Sequence, residues 1–306
     1  MTPRDTAAAP VRDDSGQDAV PSAAAPRLAG AWPRLRRHAP IAVPAALLVL
    51  LLVASLLAPW LPVDDPTQIE LANKLLPPGA AHWFGTDALG RDIFAQVLHG
   101  ARISLLIGVG VVLVAVLLGV PMGLVAGYAG GRIDSVLMRI ADLFLAFPPL
   151  LLPILLVAMA GPGLENAMLA VAVSWFPWYA RIARAAAMTV KAENYIVSAR
   201  AFGASHLRIV WRHVLPNCST PILVQASLDF GYAILTTASL GFIGLGATPP
   251  TPEWGLMISN ARSVFLEYWW TAAFPGAAIF VAVMAANLLG DGLRDLLDPK
   301  HEGRSA

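Results

Sequence analysis

The sequence predicts an all-α membrane protein with six transmembrane helices, and three observations lead there. Hydrophobic residues make up 57% of the 306 residues and charged residues only 13%, against roughly 25% charged in soluble domains, and the mean hydropathy is +0.64. Apolar runs lie near 39–60, 103–128, 140–160, 166–187, 218–245 and 271–290, each close to the roughly 20 residues that cross about 30 Å of hydrocarbon at 1.5 Å per residue. With the amino terminus inside, only Lys74, Arg91, Arg102 and Arg262 among the 21 Lys and Arg fall outside, as the inward bias of cationic residues prefers. Both termini are then cytoplasmic. The single Cys218 allows no intramolecular disulfide, and without a CxxC or Cys/His cluster no metal or cofactor is expected. The net charge of +1 says nothing as a total, and no nucleic-acid partner is expected.

The elements follow in order. Residues 1–38 are rich in Ala, Pro, Asp and Arg with no apolar period and are expected to form a disordered cytoplasmic tail. The first apolar run begins too far from the start for a cleavable signal peptide, so 39–60 reads as a retained transmembrane helix. An extracytoplasmic segment, 61–101, carries His82-Trp83-Phe84-Gly85-Thr86-Asp87 and then Gly90, Arg91 and Asp92. Those glycines and their polar neighbours read either as turns with capped helices or as a contact for an outer partner. Ile93, Phe94, Val97 and Leu98 recur at helical spacing and suit a helix lying along the interface.

The core, 102–291, supplies the other five spans. Gly108, Gly110, Gly119, Gly123 and Gly127 favour close helix packing over a gating hinge. Pro148, Pro149 and Pro153 should break or kink the third span. Trp175, Trp178 and Tyr179, with Tyr268, Trp269 and Trp270, read as interfacial or packing aromatics rather than a ligand cage. A polar, cationic loop, 191–217, separates the fourth and fifth spans. Tyr195 to Phe202 has helix-forming composition, Gly203 can take the positive φ that ends a helix, and Ser205 can cap the next one, which runs from about His206 and stops at Pro216. Leu207, Val210, Trp211 and Val214 make an apolar stripe offset from Arg208 and Arg212. Two short helices joined at a glycine are expected. Residues 292–306 read as a cytoplasmic tail.

Gly203 followed twelve residues later by Leu215-Pro216, in a loop between the penultimate pair of spans, resembles the EAA loop of ABC importer permeases. FGTDALGRDIFAQVLHGARISL from Phe84, FPPLLLPILLVA at 147–158 and NLLGDGLRDLLDP at 287–299 resemble the dipeptide/oligopeptide (peptide/nickel) branch, in its C-type permease subunit, and the likeness runs from about residue 40 to 300. The resemblance implies a type I ABC importer permease fold in a bacterial inner membrane. It implies a subunit that forms, with a second permease in a heterodimer, the pathway for dipeptides or oligopeptides. Implied partners are two ATP-binding cassette ATPase subunits, an extracytoplasmic peptide-binding protein and membrane lipid. The substrate stays open among dipeptides, oligopeptides, glutathione-like peptides and nickel chelates.

Residue by residue, the resemblance implies that the helix before Gly203 inserts into a groove of the ATPase. Val197, Ser198 and Ala199 stand at the positions that name the loop, with Val197 in place of the expected glutamate and His213 in place of an isoleucine. Coupling is therefore expected to rest on shape, on Gly203 and on Arg200, with Leu215 and Pro216 completing the motif. In the outer segment Gly85, Thr86, Asp87, Gly90, Arg91 and Asp92 become candidates for the binding-protein interface. The broken third span becomes a candidate pathway wall, since freed carbonyls at membrane depth need protein or water. Asp229, inside the fifth span, carries about 2.5–3.5 kcal/mol of insertion cost and either lines the path, meeting a cationic group of the substrate, or bonds a neighbouring helix through Ser227 or Thr236. Thr237 stands where many relatives carry a glutamate and joins Asp229 as a path candidate.

No GxxxxGK followed by Ser or Thr occurs, so hydrolysis is assigned to a partner chain and no catalytic residue is expected here. The alternative, an ion-coupled secondary transporter of small polar solutes, normally shows membrane carboxylates or broken helices in a repeated pattern, and one Asp229 without a repeat argues against it. An intramembrane protease would need an HExxH, or a GxS with a membrane histidine base.

Overall fold

The computed structural model describes residues 31–297, so the tail expected at 1–38 lies largely outside the described residues, as do positions 298–306. The chain divides into a short unit, Met1–His38, of which only the first turns of α1 are described, and a unit Ala39–Ala306 that holds the rest. Among the described residues the regular structure is helical: α1 (Ala31–Leu57), α2 (Ile93–Ala129), α3 (Gly131–Leu145), α4 (Leu151–Ala160), α5 (Leu164–Lys191), α6 (Asn194–Ala201), α7 (His206–Ile209), α8 (Leu215–Phe242), α9 (Trp254–Ala261) and α10 (Trp270–Leu297). Helix α1 is described from Ala31, and its apolar stretch runs Ile41–Trp60.

Ile41–Trp60, Ile93–Ala129 and Trp270–Asp295 are each long and apolar enough to cross a membrane. Helices α5 and α8, of 28 residues each, are about 42 Å long. The prolines do break the third apolar run: α3 ends at Leu145, Pro148 and Pro149 stand in the gap, and α4 is only ten residues. One expectation needs correcting. No separate interfacial helix forms at 93–98, because Asp92 caps Ala95 N–H at 2.7 Å and starts a single helix of 37 residues, α2. Ile93 is buried on its far end, in a cluster with Trp254, Met257, Trp270 and Ile279.

The tightest contact runs between α2 and α5. A Cβ on Gly119 would fall 2.2 Å from the Phe176 carbonyl oxygen, one on Gly123 2.1 Å from that of Ala180, and one on Gly127 2.6 Å from that of Arg184. Glycines at every fourth position of one helix thus rest on carbonyls at every fourth position of the other, as small residues allow. Gly108 meets Phe230 and Ile234 of α8, and Gly110 meets Met168 of α5. All five glycines serve packing. Around this seam Leu124, Val171, Tyr179, Ala183 and Ala187 form the main core, which continues into α8 through Cys218 and Ile222. Helix α3 is tied to α5 by two ion pairs, Asp134–Arg184 at 2.5 Å and Asp142–Arg181 at 2.6 Å.

The seam predicts the response to substitution. Gly123→Val forces α2 and α5 apart and should destabilise by about 3 kcal/mol, read as a Tm several degrees lower for the detergent-solubilised chain. A Cβ on Gly276, inside α10, meets nothing within 4 Å, so Gly276→Ala should not lower Tm and should raise it slightly, as Ala is the better helix former.

Candidate functional site

The hairpin after α5 is built by its punctuation. Helix α6 ends at Ala201 with Phe202 as its C-cap, Gly203 takes φ of +78°, and the Ser205 hydroxyl accepts from Arg208 N–H at 3.4 Å to start α7. A Cβ on Gly203 would meet nothing within 4 Å, so the glycine is required by backbone conformation and not by space. The second arm departs from expectation. It does not stop at Pro216; α7 passes through a π turn, Val210–Val214, directly into α8, and Pro216 occupies the first turn of α8, where a proline is tolerated.

That π turn also splits the expected apolar stripe. Val210 and Val214 turn inward with Ile196 and Ile209 and join the core beside Leu124 and Val190. Leu207 and Trp211 turn outward, 70% and 52% exposed, as do Phe202 at the bend, at 91%, and Val197 of the first arm, at 57%. Ser198, Arg200 and Arg208 flank this apolar knuckle and are also exposed. Ala199 is half-buried against the core. The Arg200 guanidinium lies over the Tyr128 ring, 5.1 Å from its centre.

Asp229 lies on α8 at a cavity of about 500 Å³. The cavity is walled by Phe147, Pro148 and Pro149 from the break before α4, by Trp175 and Trp178 from α5, and by Gln225 and Tyr232 from α8. Asp229 accepts a bond from Gln225 Nε2 at 2.9 Å. The Tyr179 phenol is its neighbour but stands outside hydrogen-bonding geometry, and its oxygen has no partner among the described residues. Ser227 and Thr236 bond their own helix carbonyls, so neither is the partner foreseen for Asp229. Trp175 stacks on Tyr232 with centroids 5.3 Å apart. The two tryptophans are therefore cavity walls as well as packing residues, a role their sequence positions did not disclose. Aromatic faces beside a carboxylate suit a cationic group. Thr237 is not brought to this cavity; it is 2% exposed and its hydroxyl has no partner among the described residues.

The outer candidates form a closed knot. Gly85 and Gly90 have φ of +74° and +77°, and a Cβ on Gly90 would lie 1.8 Å from the Glu70 carbonyl oxygen. The Asp87 carboxylate accepts from Leu89 N–H, Arg91 N–H, Arg91 Nε and Gln96 Nε2. Thr86 accepts from Leu76 N–H and donates to the Asn73 carbonyl, while Asp92 holds His82 Nδ1 at 2.9 Å besides capping α2. Thr86, Arg91 and Asp92 are buried. Their hydrogen bonds are spent inside the loop, so the turn-and-cap reading accounts for them, and the exposed face next to the knot belongs to Trp83 and Leu89. Glu253, which the sequence reading passed over, is buried at the start of α9 and accepts from Gly255 and Leu256 N–H, both at 2.8 Å. Burial pushes its carboxyl up, opposed by those two bonds.

The chain is 49% identical over 262 residues to the probable D,D-dipeptide transport system permease protein of Escherichia coli, covering 86% of this chain and 88% of that one. It is 45% identical to the di/tripeptide transport system permease protein of Pseudomonas aeruginosa, over 83% of this chain and 86% of that one. It is 47% identical to the glutathione transport system permease protein of Pectobacterium atrosepticum, over 88% and 90%. Its fold matches a chain of the inward-facing MetNI methionine ABC transporter with a TM-score of 0.56 at 17% identity, covering 67% of this chain and 98% of that one. The sequence profile of the family of binding-protein-dependent transport system inner membrane components matches residues 119–302, and with relatives this similar over most of its length the chain belongs to that family.

Proposed function

We propose that this chain is the C-type permease subunit of a peptide importer, forming half of a pathway with a second permease and driven by two ATP-binding cassette subunits. The observation that carries the reading is the knuckle of Phe202, Leu207 and Trp211, apolar and exposed while Ile196, Ile209, Val210 and Val214 anchor its hairpin to the core. Apolar side chains held out by a rigid support suit a protein partner. The flanking Arg200, Arg208 and Arg212 favour the cytoplasmic side for the knuckle, where ATP is hydrolysed. In this topology α1, α2, the α3–α4 pair, α5, α8 and α10 are the six spans and both termini are cytoplasmic.

The coupling residues are Val197, Ser198, Ala199, Arg200 and Gly203 on the first arm and bend, with Leu215 and Pro216 at the root of α8. Because α7 continues into α8, a push on the knuckle reaches Asp229 through one helix. The Asp229 cavity is proposed as this subunit's wall of the pathway, its carboxylate and tryptophans receiving the ammonium group or a cationic side chain of a peptide. An extracytoplasmic peptide-binding protein meets the opposite end, at exposed residues beside the knot. The named substrates of the three relatives, dipeptides, di/tripeptides and glutathione, support a short peptide as substrate.

Co-purification tests the reading. The wild-type chain should bring down a P-loop ATPase and a second permease, whereas Phe202→Asp with Leu207→Asp should lose the ATPase and keep the permease. Uptake by the chain alone in proteoliposomes without ATP would instead establish an ion-coupled transporter. Two further outcomes are expected. Gly203→Val should lower peptide uptake per ATP, while Gly203→Asn should retain most of it, since positive φ penalises a β-branched residue and Asn tolerates it. Asp229→Asn should leave assembly intact and reduce uptake of cationic peptides by about tenfold, the effect of losing about 1.4 kcal/mol of charge interaction, with neutral peptides less affected; equal uptake across peptide charges would remove Asp229 from the path.

A further inference from the structure

Tyr128 closes α2 at the point where the hairpin folds back against the bundle. Its ring is 8% exposed, and three polar groups from three separate elements converge on it. The hydroxyl pairs with His206 Nδ1 of α7 at 3.0 Å. The Arg200 guanidinium of α6 lies 5.1 Å from the ring centre, and Lys191 Nζ at the end of α5 lies 5.7 Å from it, both within the roughly 6 Å over which an aromatic face attracts a cation. The ring itself is held in place. Gly127, its neighbour, packs on the Arg184 carbonyl of α5, and Gly130 and Gly131 turn the chain away with φ of +71° and +57°.

We infer that Tyr128 is a positioning residue for energy coupling: one aromatic ring clamps both arms of the hairpin to the joined ends of α2 and α5, so that the hairpin moves with the bundle and not on its own. Without the clamp the first arm is attached to the bundle mainly by buried Ile196, and its two helices pivot about Gly203. The inference rests on the proposed coupling role of the hairpin, but the contact itself is separately measurable. The attraction of the ring explains why Arg200 turns back toward the protein although it is exposed, against the repulsion of Lys191.

The test uses the assembled transporter in proteoliposomes and reads peptide uptake per ATP hydrolysed. Tyr128→Leu should keep the ATPase bound yet lower that ratio by about tenfold, within the range by which coupling residues act. Tyr128→Phe, which keeps the ring and loses only the His206 bond, should stay within about threefold of wild type. Lys191→Gln combined with Arg200→Gln should reproduce the Tyr128→Leu defect with the aromatic core untouched. A Tyr128→Leu or double-cation variant with the wild-type ratio overturns the inference, as does loss of the ATPase from Tyr128→Leu, which would make Tyr128 a docking residue. Should the wild-type chain bind no ATPase, the coupling reading fails by itself. The clamp is then read by amide hydrogen exchange over 194–209 in the purified full chain, where faster exchange in Tyr128→Leu supports it and unchanged exchange refutes it.

Discussion

The seam of Gly119, Gly123 and Gly127 against the carbonyls of α5 is the constraint on which the other features depend. In a membrane the apolar effect does little to hold helices together, and association relies on close backbone approach and complementary small surfaces. Here that approach brings two long helices into register at the end where α5 runs into the hairpin. It fixes Lys191, Tyr128 and the start of α3 in one place, and the Asp134–Arg184 pair closes the same corner.

From this corner two routes lead into the proposed pathway. One runs through α5, whose Trp175 and Trp178 face the cavity. The other runs along the second arm of the hairpin, through the π turn and into α8, which carries Gln225 and Asp229. A rigid-body displacement of the hairpin therefore has a material path to both walls, consistent with transitions in which packed elements shift as units. The break at Pro148 and Pro149 supplies the third wall. A short helix such as α4 belongs where its exposed carbonyls meet a polar space and not lipid.

Much of this was legible in the residues. Gly203 and Ser205 announce the bend because each is chosen for a backbone conformation, and that choice depends on no distant contact. The prolines announce the broken third run for the same reason. The fate of the apolar stripe was not legible. One π turn rotates Leu207 and Trp211 away from Val210 and Val214, and a helical-period pattern looks the same with or without it. The length of α2 was hidden because Arg102 and His99 interrupt the hydropathy without interrupting the helix. The outer motif left two readings open, and the burial of Thr86, Arg91 and Asp92 was not legible because their partners lie elsewhere in the loop. Trp175 and Trp178 could not be told from packing aromatics, since what distinguishes them is a cavity assembled from α5, α8 and the proline break.

The central claim is that an ATP-hydrolysing partner seats on the knuckle at the bend. A photo-crosslinking residue placed at position 202 in the membrane-embedded transporter addresses it directly, with the same group at Trp83 as a reference on the opposite end. The account predicts that position 202 crosslinks to a P-loop ATPase subunit and position 83 does not. Crosslinks from position 202 to lipid alone, in a transporter that still takes up peptide, would contradict it.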